Sequence, residues 1–143
     1  MKKNTSQLLN EIRSTASIDR WMSTHEESLI EDMELSEFLE RMLTLHGMKK
    51  NEIIQRSNID QTYGYQIFQG LKKNPSRDKL LRLALAFSLS IEETKLLLHY
   101  GGAEMLYPRV PRDAYLMYAI HHGFSVIKTD DYLDEHGERT LDG

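Results

Sequence analysis

NEIIQRSNIDQTYGYQIFQG, residues 51–70, holds two short runs of helical apolar spacing separated by a polar break, and its reading decides the fold. Ile53 and Ile54 give the first run an inward face, and Asn58, Ile59 and Asp60 interrupt it. Asp60 is suited to cap a second helix from Gln61 to Gln69 by accepting from an orphan amide, and Gly70 supplies the stop. The segment therefore reads as two short helices joined by about four residues.

Working outward, Phe38, Leu39, Met42, Leu43 and Leu45 carry the helical period upstream, with Ser36 expected as N-cap and Gly47 as a left-handed stop. Downstream, the loop LKKNPSR at 71–77 precedes DKLLRLALAFSLS at 78–90, whose apolar density predicts a helix buried on most sides. Ser90-Ile91-Glu92-Glu93 has capping-box form, and the helix it opens, ending ETKLLLHY, stops at Gly101 and Gly102. Pro108 and Pro111 mark a break. RDAYLMYAIHHG then predicts a sixth helix ended by Gly123, with Tyr115, Leu116, Tyr118, Ala119 and Ile120 available to pack. Thr129 is expected to cap a last helix, DDYLDEHG, whose aspartates would sit at the positive end of its dipole. At the other end, Leu8, Leu9, Ile12, Ile18, Trp21 and Met22 are sparse among Ser and Thr, which fits one or two short helices between about Thr5 and Glu27, with Trp21 as an anchor for the arm or a contact for a partner. The resulting division is an N-terminal helical arm at 1–30, a helical domain at 31–106 and a C-terminal helical extension at 107–143.

Composition agrees with an all-α class, since Val occurs only at Val110 and Val126 while Leu, Met and Ile dominate. The absence of cysteine removes disulfides, Cys-ligated zinc and thiol catalysis. MKKNTSQLLNEIRS lacks a signal-length apolar run and the longest apolar stretch is LALAF at 83–87, so a cytoplasmic protein with no membrane partner is expected. The net charge of −4 is unevenly spread. Residues 1–40 carry 4 basic and 9 acidic side chains, residues 41–82 carry 9 and 3, and residues 83–143 carry 5 and 10. A basic middle between acidic flanks is the footprint of an anion-binding face, with a solvated charge cluster as the alternative.

The order of these tokens resembles the lambda-repressor-like, or XRE-type, helix-turn-helix family over roughly residues 35–100. The resemblance rests on five short helices in sequence and on Gly70, Lys72, Lys73, Pro75, Ser76, Leu80, Leu81, Ala84 and Leu89 to Glu93 at the family's positions. It implies an all-α, five-helix domain flanked by the arm and a C-terminal helical pair, and sequence-specific double-stranded DNA as partner in gene regulation. In that family the start of the recognition helix faces base edges while lysines and amides hold phosphates. Carried onto this chain, Gln61, Thr62 and Gln66 become base readers, a Gln amide being able to pair with adenine in both directions. Lys49, Lys50, Lys72, Lys73 and Arg77 become phosphate contacts, and Tyr63 either joins them through its hydroxyl or packs. Two positions depart from the family pattern. Gly64 stands where an inward apolar residue is usual, leaving space that Tyr65 and Phe68 are expected to refill, and Ser57-Asn58 replaces an apolar-Gly pair, which Asn tolerates because it adopts the left-handed region.

Catalysis finds little support. His121 and His122 are adjacent and diverge on a helix, His99 sits at a helix end, and Asp130, Asp131, Asp134 and Glu135 lack the oxygen spacing and Gly of a calcium loop. No phosphate-cradling Gly-rich loop or nucleophile elbow occurs, so neither enzyme activity, metal nor cofactor is expected. The alternative to DNA binding is a protein interaction module on the same fold, holding a partner through the acidic flanks or the C-terminal helices. A homodimer is a further expectation from the Tyr115, Leu116, Tyr118 stripe, whose other reading is intramolecular packing.

Overall fold

Local end signals set most of the helices in the computed structural model, which describes residues 4–17, 22 and 30–142. Those residues form eight α-helices. By compactness the chain separates at Asp32/Met33 into two units. The first holds α1 (Thr5–Ser14), opened by a reciprocal cap in which the Asn4 side chain accepts from the Gln7 amide at 2.8 Å and the Gln7 side chain from the Asn4 amide at 3.0 Å. None of its residues is buried. The anchoring expected of Trp21 lies outside the described residues.

The second unit runs α2 (Leu35–His46), α3 (Lys50–Ser57), α4 (Gln61–Phe68), α5 (Arg77–Phe87), α6 (Ile91–Tyr100), α7 (Pro111–His121) and α8 (Val126–Glu135). Gly47 stops α2 at φ +63°, Asp60 caps α4 by accepting from the Tyr63 amide at 3.1 Å, and the Ser90–Glu93 box opens α6. Two expected caps are displaced by one turn or less. Ser36 lies inside α2, whose N-cap is Glu34, because Leu35 is drawn into the core. Ser125 rather than Thr129 caps α8; Thr129 is fully buried and its hydroxyl bonds back to the Ser125 carbonyl, so the aspartates fall beyond the first turn.

The core follows from the period of each helix. Phe38, Leu39 and Met42 of α2, Ile53 and Ile54 of α3 and Ile67 and Phe68 of α4 close around α5, in which all residues but Arg77 and Lys79 are buried. Each such Leu, Ile or Phe contributes about 1.5–3 kcal/mol by leaving water. The same apolar cluster continues into Leu106, Leu116, Ile120, Val126, Leu133 and Leu141. The boundary expected at 106/107 is therefore not a division between compact units. Apolar contact joins α7 and α8 to α5, and two ion pairs, Arg77–Asp113 at 2.6 Å and the more deeply buried Arg112–Asp78 at 3.0 Å, tie α7 to it. Among the described residues no helix is long and apolar enough to cross a membrane, and no cluster of three or more potential metal ligands occurs.

Candidate nucleic-acid interface

The turn between α3 and α4 determines what α4 presents. Asn58 adopts the left-handed conformation at φ +58°, which reverses the chain after α3, and Ile59 is buried beneath the turn. The Ser57 hydroxyl donates to the Ile54 carbonyl at 2.6 Å and accepts from the Ile59 amide at 3.2 Å, tying the end of α3 to the approach of α4. The two helices meet closely because Gly64 faces Ile54. A Cβ at position 64 would lie 2.7 Å from Ile54 Cγ2, so the place expected to need refilling by Tyr65 and Phe68 is already filled by Ile54.

This packing leaves the other side of α4 outward. Gln61 and Thr62 are exposed on its first turn, Gln66 is half-buried one turn later, and Gln69 is exposed at its end. A groove of 510 Å³ between α3 and α4 is lined by further amides, Asn51, Gln55, Asn58 and Gln61. Gly70 at φ +83° then turns the chain back so that the Leu71 and Lys72 amides both donate to the Gln66 carbonyl, at 2.9 and 3.2 Å. That return brings the Lys72 ammonium to 5.6 Å from the Tyr63 ring centre. Lys79, from the first turn of α5, lies 5.0 Å from the same ring. Two ammonium groups thus lie within cation–π distance of the Tyr63 ring beside the exposed start of α4.

The cations differ in what else they do. Lys49 and Lys72 are exposed, and among the described residues neither they nor Lys79 enters an ion pair. Lys50 is paired with Glu40 at 3.0 Å and lies over Phe68, while Lys73 faces Glu34 loosely at 3.9 Å with both groups about two-thirds exposed. Arg77 requires correction as a phosphate contact. Its guanidinium donates to both oxygens of Asp113 at 2.8 and 2.6 Å and to the Glu104 and Met105 carbonyls at 3.1 and 2.9 Å, so all three of its nitrogens are engaged internally. Burial pushes the Asp113 carboxyl up, but Arg77 and the Tyr107 amide outweigh it and hold the group below the usual carboxylate range. The Asp113 hydrogen bond likewise raises Arg77 against its own burial.

The basic balance of residues 41–82 consequently overstates the free positive surface. Arg82 is buried, Arg77 is tied to Asp113, Arg56 is paired with Glu52 at 3.1 Å and Arg41 with Glu37 at 3.4 Å. Lys79 was not marked by family position, yet its sequence carries a signal. It stands in the first turn of a helix capped by Ser76, where a cation opposes the helix dipole, and such a local violation points to use elsewhere. The C-terminal stripe divides: Leu116 is buried in the core, whereas Tyr115 and Tyr118 join Phe124, Tyr132, His122 and His136 in an aromatic cluster between α7 and α8. No protein-family model, curated protein or solved structure matches this chain.

Proposed function

We propose that this chain is a sequence-specific DNA-binding regulator in which α3 and α4 act as a lambda-repressor-like helix-turn-helix and α4 enters the major groove. The observation that carries the reading is the exposed Gln61 and Thr62 pair beside the Tyr63–Lys72–Lys79 cluster, amides and hydroxyl for base edges flanked by ammonium groups for phosphate. Gln66 extends the polar face by one turn, and Lys49 adds a cation at the start of α3. Lys50 and Lys73 contribute after exchanging their carboxylate partners for phosphates, a swap that costs little at exposed pairs. Catalysis does not enter this reading. A regulator of this kind binds a two-fold operator as a homodimer.

Selection of bound sequences from a random duplex pool tests the proposal. Enrichment of one motif, with a two-fold repeat if the dimer holds, is the expected result. Failure to enrich any motif at low salt returns the chain to the alternative of a protein interaction module.

A further inference from the structure

After α8 the chain turns at Gly137, φ +73°, and residues 138–142 run without helix across the surface made by α5, α7 and α8. From residue 139 to residue 142 side chains hold all four backbone carbonyls and the last two amides. Arg112 donates to the carbonyls of Arg139 and Thr140 at 2.8 and 3.0 Å. Asp130 accepts from the Leu141 amide at 2.8 Å, and Asp78 from the Asp142 amide at 3.0 Å. Arg82 donates to the Leu141 and Asp142 carbonyls at 2.6 and 3.0 Å. Of the side chains, Leu141 alone is buried, at 3% exposure, while Arg139, Thr140 and Asp142 point outward. Backbone capture of an extended stretch with one apolar side chain in a pocket is how receptors hold linear peptides.

Arg82 also reaches the other way. Its third contact, Nη1 to the Ser57 carbonyl at 3.1 Å, ends on the residue whose hydroxyl ties Ile54 to Ile59 in the turn before α4. One buried guanidinium therefore joins residues 141 and 142 to that turn. With the stretch withdrawn, Arg82 keeps only the Ser57 carbonyl and a 3.6 Å approach to Asp130. A buried guanidinium left with unmade hydrogen bonds moves toward water, which also deprives Ser57 of its donor.

We propose that the surface between α5, α7 and α8 is a recognition site for an extended peptide bearing one apolar side chain, filled in cis by residues 139–142, and that filling it sets the turn before α4 through Arg82. Because the segment is tethered, its effective concentration at the site is of millimolar order, so weak contacts suffice to keep it filled. The consequence for DNA rests on the reading of α4 given above; the linkage to the turn does not.

The test uses the full chain and amide hydrogen exchange. Leu141→Asp cannot bury its side chain and releases the segment, whereas Thr140→Ala changes only an outward side chain. The Ile59 amide is expected to exchange about tenfold faster in Leu141→Asp, beyond any acceleration of the Leu39 amide in α2, and to be unchanged in Thr140→Ala. Equal acceleration at both amides, or none at Ile59, overturns the linkage. Arg82→Lys supplies an independent arm if Leu141→Asp fails to fold: Ile59 should accelerate while the Leu141 amide, still bound by Asp130, stays protected, and an unaffected Ile59 overturns the proposal. On DNA, Leu141→Asp should lower the affinity ratio between selected and random duplex with the salt slope unchanged. An unchanged ratio with a loosened turn overturns the effect on recognition, and a parent chain that binds no duplex removes the DNA reading while the exchange data still decide the linkage.

Discussion

Replacing Gly64 by Ala should destabilise this protein, although Ala is the better helix former. Intrinsic propensity favours the change by about 1 kcal/mol in the middle of a helix. Against it stands the contact with Ile54, where the new Cβ would lie 2.7 Å from Cγ2 and 3.1 Å from Cγ1. Ordinary carbon contacts are about 3.5–4.0 Å, so α4 or Ile54 must retreat by most of an ångström. Ile54 has little freedom to do so, being branched at Cβ and only 3% exposed. Overpacking of this kind costs about 1–3 kcal/mol, and because the clash falls on a stiff atom the upper half of that range applies, giving a net loss of about 1–2 kcal/mol. Urea denaturation followed by circular dichroism reads this as a lower midpoint at unchanged slope. Ile54→Ala removes both clashing atoms and alone costs about 2–5 kcal/mol, so combining it with Gly64→Ala should cost less than the two separate losses by about 1 kcal/mol or more. A Gly64→Ala protein more stable than its parent, or strict additivity in the double variant, would refute the close approach of α3 and α4.

Further expectations follow from the polar contacts. Asp113→Asn should lower stability by about 2 kcal/mol in urea, less than a fully buried pair would lose because Arg77 retains about a quarter of its exposure. Since Asp113 and Asp78 are both held below their ordinary values, their contribution is complete above about pH 4 and declines as acid protonates them in the folded state; Asp113→Asn should flatten the acid limb of a thermal melting profile, and an identical limb would contradict the assignment. Ser125→Ala should cost about 1 kcal/mol as a lost N-cap, and an unchanged midpoint in urea denaturation would remove Ser125 as the cap. In filter binding, Lys72→Ala and Lys79→Ala should each weaken all duplexes alike and reduce the salt slope by about one, whereas Gln61→Ala should change which sequence is preferred. Unaltered affinity and slope in both lysine variants would end the phosphate assignment.

Much of the helical layout was legible from neighbouring residues because caps and stops act within one turn. Asp60 before Tyr63, Ser90 with Glu93, and Gly47 after His46 each satisfy or end a helix by contacts at most a few positions away. The outward Gln61 and Thr62 follow from that layout, since Ile67 and Phe68 claim the opposite side of α4. Where local signals competed, burial decided: Leu35 pulled α2 past Ser36, and Val126 entered the core together with Thr129, leaving Ser125 to cap α8.

By itself the sequence determined an all-helical chain, the ends of most helices and the polar character of the start of α4, all properties of residues within a turn of one another. Only the tertiary structure decided which cations remain outward. Arg77 meets Asp113 thirty-six positions away, and Arg82 meets Ser57 on one side and Leu141 on the other. Gly64 could be judged only when Ile54 was seen against it. Charge and side-chain volume are fixed residue by residue, but whether a charge is free or a glycine is needed depends on partners that folding brings together from distant stretches of the chain.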